Sequence, residues 1–218
     1  MSNTKKRADD IRPYNDGGTH ANVGEDNILP KNIEGNTKNL VTSAILIAIA
    51  TVLSVLTPFW MPFGGNVTLA AMVPIIIIPY LFGLKFGLLS ALIYSVIQML
   101  LGVQNFGFLA PTITNFLLIG FLDYIIAFGI LGVGRVFSRN LLIGGGIVIA
   151  LRYASHVVSG VVLWGHFADA ADLMHGLWAY SLAYNAAYMV PEFIISLIVL
   201  AVLTRVKQIS WVQNEHAK

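Results

Sequence analysis

Six apolar stretches follow one another from Leu40 to Thr204, and all but the second, which is shorter, reach about the length of a helix that crosses a membrane. Of the 218 residues, 56% are hydrophobic and 11% are charged, whereas a soluble domain carries roughly 25% charged residues. A spanning helix needs about 20 predominantly apolar residues. The chain is therefore predicted to be an all-α integral membrane protein with six spans, namely Leu40–Thr57, Thr68–Phe82, Phe86–Val103, Thr112–Gly134, Leu141–Gly165 and Leu177–Thr204.

Prolines interrupt two of these spans. Pro74 and Pro79 fall in the second span, which is therefore predicted to be short, kinked or partly unwound, because proline removes a backbone donor and clashes with the preceding turn. Pro191 predicts a kink in the sixth span.

The two ends of the sequence are polar. The first 38 residues are poor in apolar side chains and bury too little surface to offset the entropy lost on ordering. They also lack the apolar run of a signal peptide. We expect a disordered cytoplasmic tail over residues 1–38, a six-helix membrane domain over residues 39–207 and a short cytoplasmic tail over residues 208–218.

The basic residues set the predicted orientation, because Lys and Arg next to spans concentrate on the cytoplasmic side. If the N-terminus is inside, the outer loops "PFWMPFGGN", "QNFGFLAP" and "HFADAADLMH" contain neither Lys nor Arg. The inner segments then hold Lys38, Lys85, Arg135, Arg139, Arg205 and Lys207. Both termini are therefore predicted to be cytoplasmic.

The first span contains a pair of small residues, Ala44 and Ala48, with a small-xxx-small spacing. Small residues allow helices to approach closely in lipid, where packing drives association. The pair can serve packing within the chain, or it can form a docking face for a partner subunit.

Four ionisable residues fall inside the predicted spans, where such residues are costly and mark functional sites. Asp123 lies on the fourth span, Arg152 and His156 on the fifth, and Glu192 on the sixth. The i, i+4 spacing places Arg152 and His156 on one helix face. Trp164 follows about 80° further round the same helix and lies nearer the outside.

The sixth span adds an aromatic and amide face near its outer end, consisting of Trp178, Tyr180, Tyr184, Asn185 and Tyr188. Together with a carboxylate and an imidazole, this set suits a small, flat, cationic heteroaromatic ligand. The carboxylate balances the ligand charge, the rings stack or make cation–π contacts, and the amide reads hydrogen-bonding edges.

A structural interpretation of the same residues is also open. Arg152 can pair with Asp123 or Glu192, so that the helix bundle tolerates the buried charges. Trp164 and Trp178 can be anchors at the membrane interface.

The residues resemble a known family, the thiamine-specific substrate-binding (S) component of energy-coupling factor (ECF) vitamin transporters, over about residues 40–205. The strongest match runs from Arg152 through His156 and Trp164 to "AYSLAYN". The segment "LDYIIAF" matches an acidic–tyrosine pair, here Asp123 and Tyr124, and "GGNVTLAAMVPIIIIPYLFGLKFGLLSALIY" is similar to the family's second and third helices.

The resemblance implies a thiamine pocket in the outer half of the membrane, lined by Asp123, Tyr124, His156, Trp164, Tyr180 and Asn185. It also implies that Arg152 takes the place of a basic residue near the ligand, and that Tyr94 stands where some members have a pocket tryptophan. Ala44 and Ala48 match the small-residue motif by which these components dock on the shared coupling subunit.

The chain departs from the family pattern at three places. Some members carry glutamate where this chain has Asp123, which has a shorter reach for the same charge. Some carry a tryptophan where this chain has Gly65, and Trp60, five residues away, can substitute for it. The long polar N-terminal tail is not a feature of the family.

The function that the resemblance implies is capture of thiamine from outside the cell, followed by uptake driven by a coupling subunit and two ATPase subunits. The chain lacks the G-x-x-x-x-G-K-[ST] phosphate loop, so it is predicted to be a binding subunit in the cell membrane and not an enzyme. We expect no cofactor, no metal and no nucleic-acid partner. The alternatives are a thiamine precursor or another vitamin as ligand, a ligand-free membrane scaffold, or a small membrane enzyme that uses His156 and Asp123 as an acid–base pair.

Overall fold

The computed structural model describes residues 31–61, 65–109, 112–164 and 173–206. In this part of the chain, five helices are long and apolar enough to cross a membrane, and a sixth apolar helix is ten residues long. The helices are α1 (Lys31–Val55), α2 (Val73–Phe82), α3 (Leu84–Leu109), α4 (Ile113–Phe137), α5 (Leu141–Trp164) and α6 (Leu173–Leu203). The predicted all-α membrane architecture is confirmed. The predictions for residues 1–30 and 208–218 lie outside the described residues.

The first helix is longer than predicted, because α1 begins at Lys31 and not at the end of the predicted tail. Once a helix has formed its first turns, further turns add at little cost. The apolar span from Leu40 onward therefore carries helical structure back into the polar residues that precede it. At the other end of the chain, α6 continues through Pro191 to Leu203.

The short helix α2 forms the centre of the bundle. All residues from Val73 to Tyr80 are buried, and α2 contacts each of the other five helices. Pro74 starts the helix and Pro79 lies inside it, and Gly83, with a φ of 90°, ends it. The predicted shortening is confirmed, since the residues before Val73 are not helical.

A small antiparallel strand pair, which the sequence did not predict, precedes α2. Strand β1 (Phe59–Trp60) pairs with β2 (Asn66–Val67), with Phe59 opposite Val67. We call residues 65–72 the pre-α2 segment. Most of its residues are buried, and Ala70 has a φ of 58°, a left-handed conformation that is costly for a residue with a Cβ. The surrounding structure must therefore hold this segment in place.

Helix α4 is irregular along its length. It is α-helical over Ile113–Ile119, π-helical over Gly120–Ile126, briefly α-helical again, and then passes through a 3₁₀ turn at Ile130–Val133. Isolated π turns inside α-helices are rare overall, and those that occur are often found at functional sites. Asp123 and Tyr124 lie within the π turn.

Candidate functional site

The π turn of α4 brings Asp123 against α5. His156 Nδ1 lies 2.8 Å from Asp123 Oδ1, and the Ser159 hydroxyl donates a hydrogen bond to Oδ2 at 2.5 Å. His156 and Ser159 are three residues apart on α5, so they occupy neighbouring positions on one helix face. The carboxylate of α4 is therefore fixed by two groups from a single face of α5.

Arg152 completes a chain of hydrogen bonds on the same face. Its Nε donates to His156 Nε2 at 3.3 Å. Because a guanidinium can only donate, Nε2 is the acceptor and the imidazole proton resides on Nδ1, where it faces Asp123. His156 is therefore the neutral Nδ1–H tautomer, and it links the cationic and anionic members of the site.

The structural interpretation of Arg152 predicted an ion pair with Asp123 or Glu192, and this prediction is wrong. Within the described ranges, Arg152 makes no ion pair with either carboxylate. Its guanidinium carbon instead lies 4.1 Å from the centroid of the Phe128 ring, a cation–π contact. The bulk of Phe128 and the intervening imidazole thus keep the guanidinium from the carboxylate.

The tyrosines of α6 form a series of ring contacts that leads to His156. Tyr180 stacks on Tyr184 with the ring centroids 6.0 Å apart, and Tyr184 meets Tyr188 edge to face at 5.9 Å. Tyr188 in turn contacts the imidazole of His156, with 6.2 Å between the centroids. The series begins at Tyr180, which is 50% exposed, and ends at Tyr188, which is 8% exposed. We call these three residues the tyrosine series.

Asn185 is buried between α5 and α6, and its amide is engaged at both ends. Its Nδ2 donates to the carbonyl oxygen of Ser181 at 2.8 Å and to that of His156 at 3.4 Å. Its Oδ1 accepts a hydrogen bond from the Tyr188 hydroxyl at 2.6 Å. Asn185 therefore joins the tyrosine series to the helix that carries His156.

Two further tyrosines, Tyr124 and Tyr94, contact the ring of Phe128. The Tyr124 ring is stacked at 6.1 Å from Phe128, and its hydroxyl lies against Gly102 of α3. Tyr94 is fully buried, and it contacts Phe128 edge to face at 5.4 Å. The Tyr94 hydroxyl donates to the Ala50 carbonyl of α1 at 3.4 Å. Tyr94 thus reaches the site through Phe128.

Three tryptophans, Trp60, Trp164 and Trp178, were predicted to line the site or to anchor the chain at the membrane interface, and the structure describes the side chain of Trp178 among them. The side chains of Trp60 and Trp164 lie outside the described part of the structure; the backbone of Trp60 ends β1, and that of Trp164 ends α5. Trp178, on the outer part of α6, is 45% exposed.

Phe128 and Ser159 were missed by sequence reasoning. Ser159 could have been found, because it stands three residues after His156 on the face that the Arg152–His156 spacing defines. Phe128 could not, because its position relative to Asp123 depends on the π turn, and a regular helix would place it on a different face.

The fourth ionisable residue, Glu192, does not join this cluster. Its carboxylate accepts hydrogen bonds from the backbone N–H and the hydroxyl of Thr68, in the pre-α2 segment. Glu192 is 3% exposed and Thr68 is 8% exposed, so the contact is buried.

The arrangement suits the binding of a cation. Each carboxylate oxygen of Asp123 has accepted one hydrogen bond and has a further lone-pair direction to offer. The Asp123 side chain is 25% exposed, so an incoming group can reach it. The neighbouring tyrosines add electron-rich ring faces. Among the residues that the structure describes, no group of three His, Asp or Glu side chains is placed to hold a metal ion.

Comparisons with known proteins agree on one family. Residues 40–211 match the family model of the thiamine transporter protein (Thia_YuaJ). The chain is 35% identical over 182 residues to the thiamine transporter ThiT of Bacillus subtilis (strain 168), covering 75% of this chain and 88% of that protein. A solved structure of ThiT from Listeria monocytogenes superposes with a TM-score of 0.58 at 20% identity, covering 80% of this chain and 97% of that one. At this identity the likeness shows the fold alone, and it agrees with an all-α membrane architecture.

Proposed function

The chain belongs to the thiamine transporter protein family (Thia_YuaJ), and on that premise we propose that it binds thiamine in the outer half of the membrane for uptake into the cell. The described residues include five helices long and apolar enough to cross a membrane, and in a chain with thiamine-transporter relatives these make it a multi-pass protein of the cell membrane. Its relatives are named as transporters and not as enzymes.

One observation carries the proposal: Arg152, the one cation among the described residues of the cluster, makes no contact with the carboxylate of Asp123. Among the described residues of the site, Arg152 contacts a neutral imidazole and the Phe128 ring, while Asp123 accepts its hydrogen bonds from neutral donors. Among the described residues, no cation therefore balances the carboxylate charge. Asp123 is partly shielded from solvent, and an anion in such a place is stabilised by an opposite charge, which a cationic ligand supplies.

Thiamine has the chemistry that such a site selects. It carries a permanently charged thiazolium ring and a flat aminopyrimidine ring, so it can be held by a carboxylate and by aromatic faces. A desolvated cation–π contact contributes up to about 2 kcal/mol. We assign the charge contact to Asp123 and ring contacts to Tyr180 and Tyr184, at the exposed end of the tyrosine series. Trp164 and Trp60 remain predicted contacts.

We further propose that α1 docks on the coupling subunit of an ECF module with two ATPase subunits. Ala44 and Ala48 are both exposed on α1, whereas Ile47 and Ala50 face the bundle and are buried. The alternative role of the alanine pair, packing within the chain, is therefore not favoured. Exposed small residues flanked by the exposed Ile45 and Ile49 let a partner helix approach closely.

Binding of thiamine to the purified chain alone tests the proposal. In detergent or nanodiscs, without partner subunits, thiamine is expected to quench the intrinsic tryptophan fluorescence, and calorimetry should give one site per chain. A thiamine precursor and other vitamins serve as competitors. Tighter binding of a competitor would replace thiamine as the ligand, and no binding of any of them would favour the scaffold. Turnover of thiamine by the chain alone would favour the enzyme.

A further inference from the structure

A buried carboxylate outside the ligand site has no role in the function proposed so far. Glu192 lies well inside α6 and is 3% exposed. Both of its hydrogen bonds come from one residue, Thr68, through the backbone N–H and the side-chain hydroxyl. Burying a carboxylate to this extent is costly unless it is hydrogen-bonded or paired, and an ionisable residue within a membrane span marks a functional role.

The length of α2 explains why a carboxylate is needed at this depth. Ten residues of helix extend about 15 Å, whereas the hydrocarbon core is about 30 Å thick. Lys85, just after α2, belongs to the predicted cytoplasmic side, so the outer end of α2 lies near the middle of the membrane. The non-helical pre-α2 segment therefore lies within the membrane.

Non-helical backbone at this depth must find its hydrogen-bond partners within the protein. Helix α6 supplies two of them to the pre-α2 segment. The Thr68 N–H donates to Glu192, and the Gly65 N–H donates to the Tyr184 hydroxyl at 3.1 Å. The Thr68 hydroxyl also accepts from the Ala71 N–H at 3.2 Å, which links the Glu192 contact to the turn that contains the strained Ala70.

The same face of α6 serves the segment and the ligand site. Tyr184, Tyr188 and Glu192 are spaced by four residues, so they follow one another along the helix. Gly65 packs directly on two of them: a Cβ at this position would lie 2.8 Å from Tyr188 Cδ1 and 3.0 Å from the Tyr184 hydroxyl. The position of the pre-α2 segment and the orientation of these two rings are therefore coupled by contact.

We propose that Glu192 is a positioning residue of the ligand site. Its carboxylate anchors the pre-α2 segment against α6, and the anchored segment holds Tyr184 and Tyr188 in the orientation in which the tyrosine series meets the ligand. The anchor also fixes the β1–β2 pair, because β2 is part of the segment. The effect on ligand binding rests on the proposed function, whereas the anchoring itself does not.

Two substitutions remove the anchor from its two sides. Glu192→Gln leaves one acceptor oxygen for two donors, and Thr68→Val removes the hydroxyl at nearly unchanged volume. Each is expected to weaken thiamine binding about tenfold, as loss of a hydrogen bond to a charged group implies. The double variant should bind thiamine with the same affinity as the weaker-binding of the two single variants, because both changes break the same contact. Thr68→Ser, which keeps the hydroxyl, should bind like the unmodified protein.

A matched control lies on the same helix. Ser196 is buried four residues beyond Glu192, and its hydroxyl has no hydrogen-bond partner among the described residues. Ser196→Ala should leave thiamine binding unchanged. Equal losses in Ser196→Ala and Glu192→Gln would show a general effect on packing and would overturn the proposal.

A second measurement needs no ligand. The chain has no cysteine, so spin labels can be placed at Phe59→Cys on β1 and Leu182→Cys on α6, two exposed positions. The distance distribution between the labels should be narrow in the parent protein and broad or longer with Glu192→Gln or Thr68→Val. An unchanged distribution in both variants would overturn the anchor. If the parent protein binds no thiamine, the proposed function fails, and the label distances still decide whether Glu192 anchors the segment.

Discussion

Asp123 is positioned by the π turn of its own helix, α4, and both of its hydrogen-bond partners among the described residues belong to the neighbouring helix, α5. The π turn of α4 aims the carboxylate at α5, and His156 and Ser159 hold it there as neutral donors. The spacing of Arg152 and His156 correctly predicted a shared face. The partner of Arg152 could not be predicted, because whether a guanidinium meets a carboxylate or a ring depends on the register between helices.

The Asp123 assignment predicts a specific loss on removing the charge. Asp123→Asn keeps the size of the side chain and can still accept one hydrogen bond, but it no longer balances a cation. We expect the free energy of thiamine binding, measured by calorimetry on the purified chain, to become less favourable by about 1–3 kcal/mol. Asp123→Glu, which restores the charge with a longer reach, should recover part of the loss.

The melting temperature of the Asp123→Asn variant distinguishes a lost contact from a lost fold. A variant that melts like the parent protein but binds thiamine weakly supports the assignment. Unchanged affinity in the Asp123→Asn variant would remove this carboxylate from the ligand contacts.

The elements were predictable to the extent that length and hydropathy determine them. The apolar runs predicted the spans, and Pro74 with Pro79 predicted the shortened α2. The π turn of α4 and the β1–β2 pair were not predictable, because both involve contacts between elements far apart in the sequence. Asp123, in the π turn, is hydrogen-bonded to His156 of α5, and the segment that includes β2 is hydrogen-bonded to Glu192 of α6. The early start of α1 reflects helix propagation into residues whose composition alone favours disorder.

Helix α1 gives a prediction that separates binding from transport. Ala44→Trp together with Ala48→Trp fills the exposed face with two large rings, so close approach of a partner helix is blocked. Neither alanine faces the bundle, so thiamine binding to the purified chain should be retained while uptake by cells is lost.

Another pair of alanines on α5 serves as the matched control for this variant. Ala150 and Ala154 have the same spacing and are also exposed. Ala150→Trp with Ala154→Trp should preserve uptake as well as binding. If the α1 variant transports thiamine as well as this control does, α1 is not the docking face.

At the scale of the whole molecule, the bundle is arranged around a helix that is too short to cross the membrane. Helix α2 contacts all five other helices, which bury it from Val73 to Tyr80. The pre-α2 segment precedes this short helix, and two of its backbone N–H groups, those of Gly65 and Thr68, donate to side chains of α6. The ligand site and the irregular backbone therefore share one helix, and a change in either is expected to affect the other.

The orientation of this bundle is a prediction that labelling of single cysteines can decide. The chain contains no cysteine, so Phe59→Cys and Asn140→Cys each introduce one reactive thiol at an exposed position. Arg139 directly precedes Asn140 in the loop between α4 and α5, and Arg135 lies at the end of α4. Basic loops remain on the cytoplasmic side. A membrane-impermeant maleimide should therefore label Phe59→Cys on intact cells and Asn140→Cys only after lysis. The reverse pattern would place the exposed Tyr180 on the cytoplasmic side, where it could not contact thiamine arriving from outside the cell.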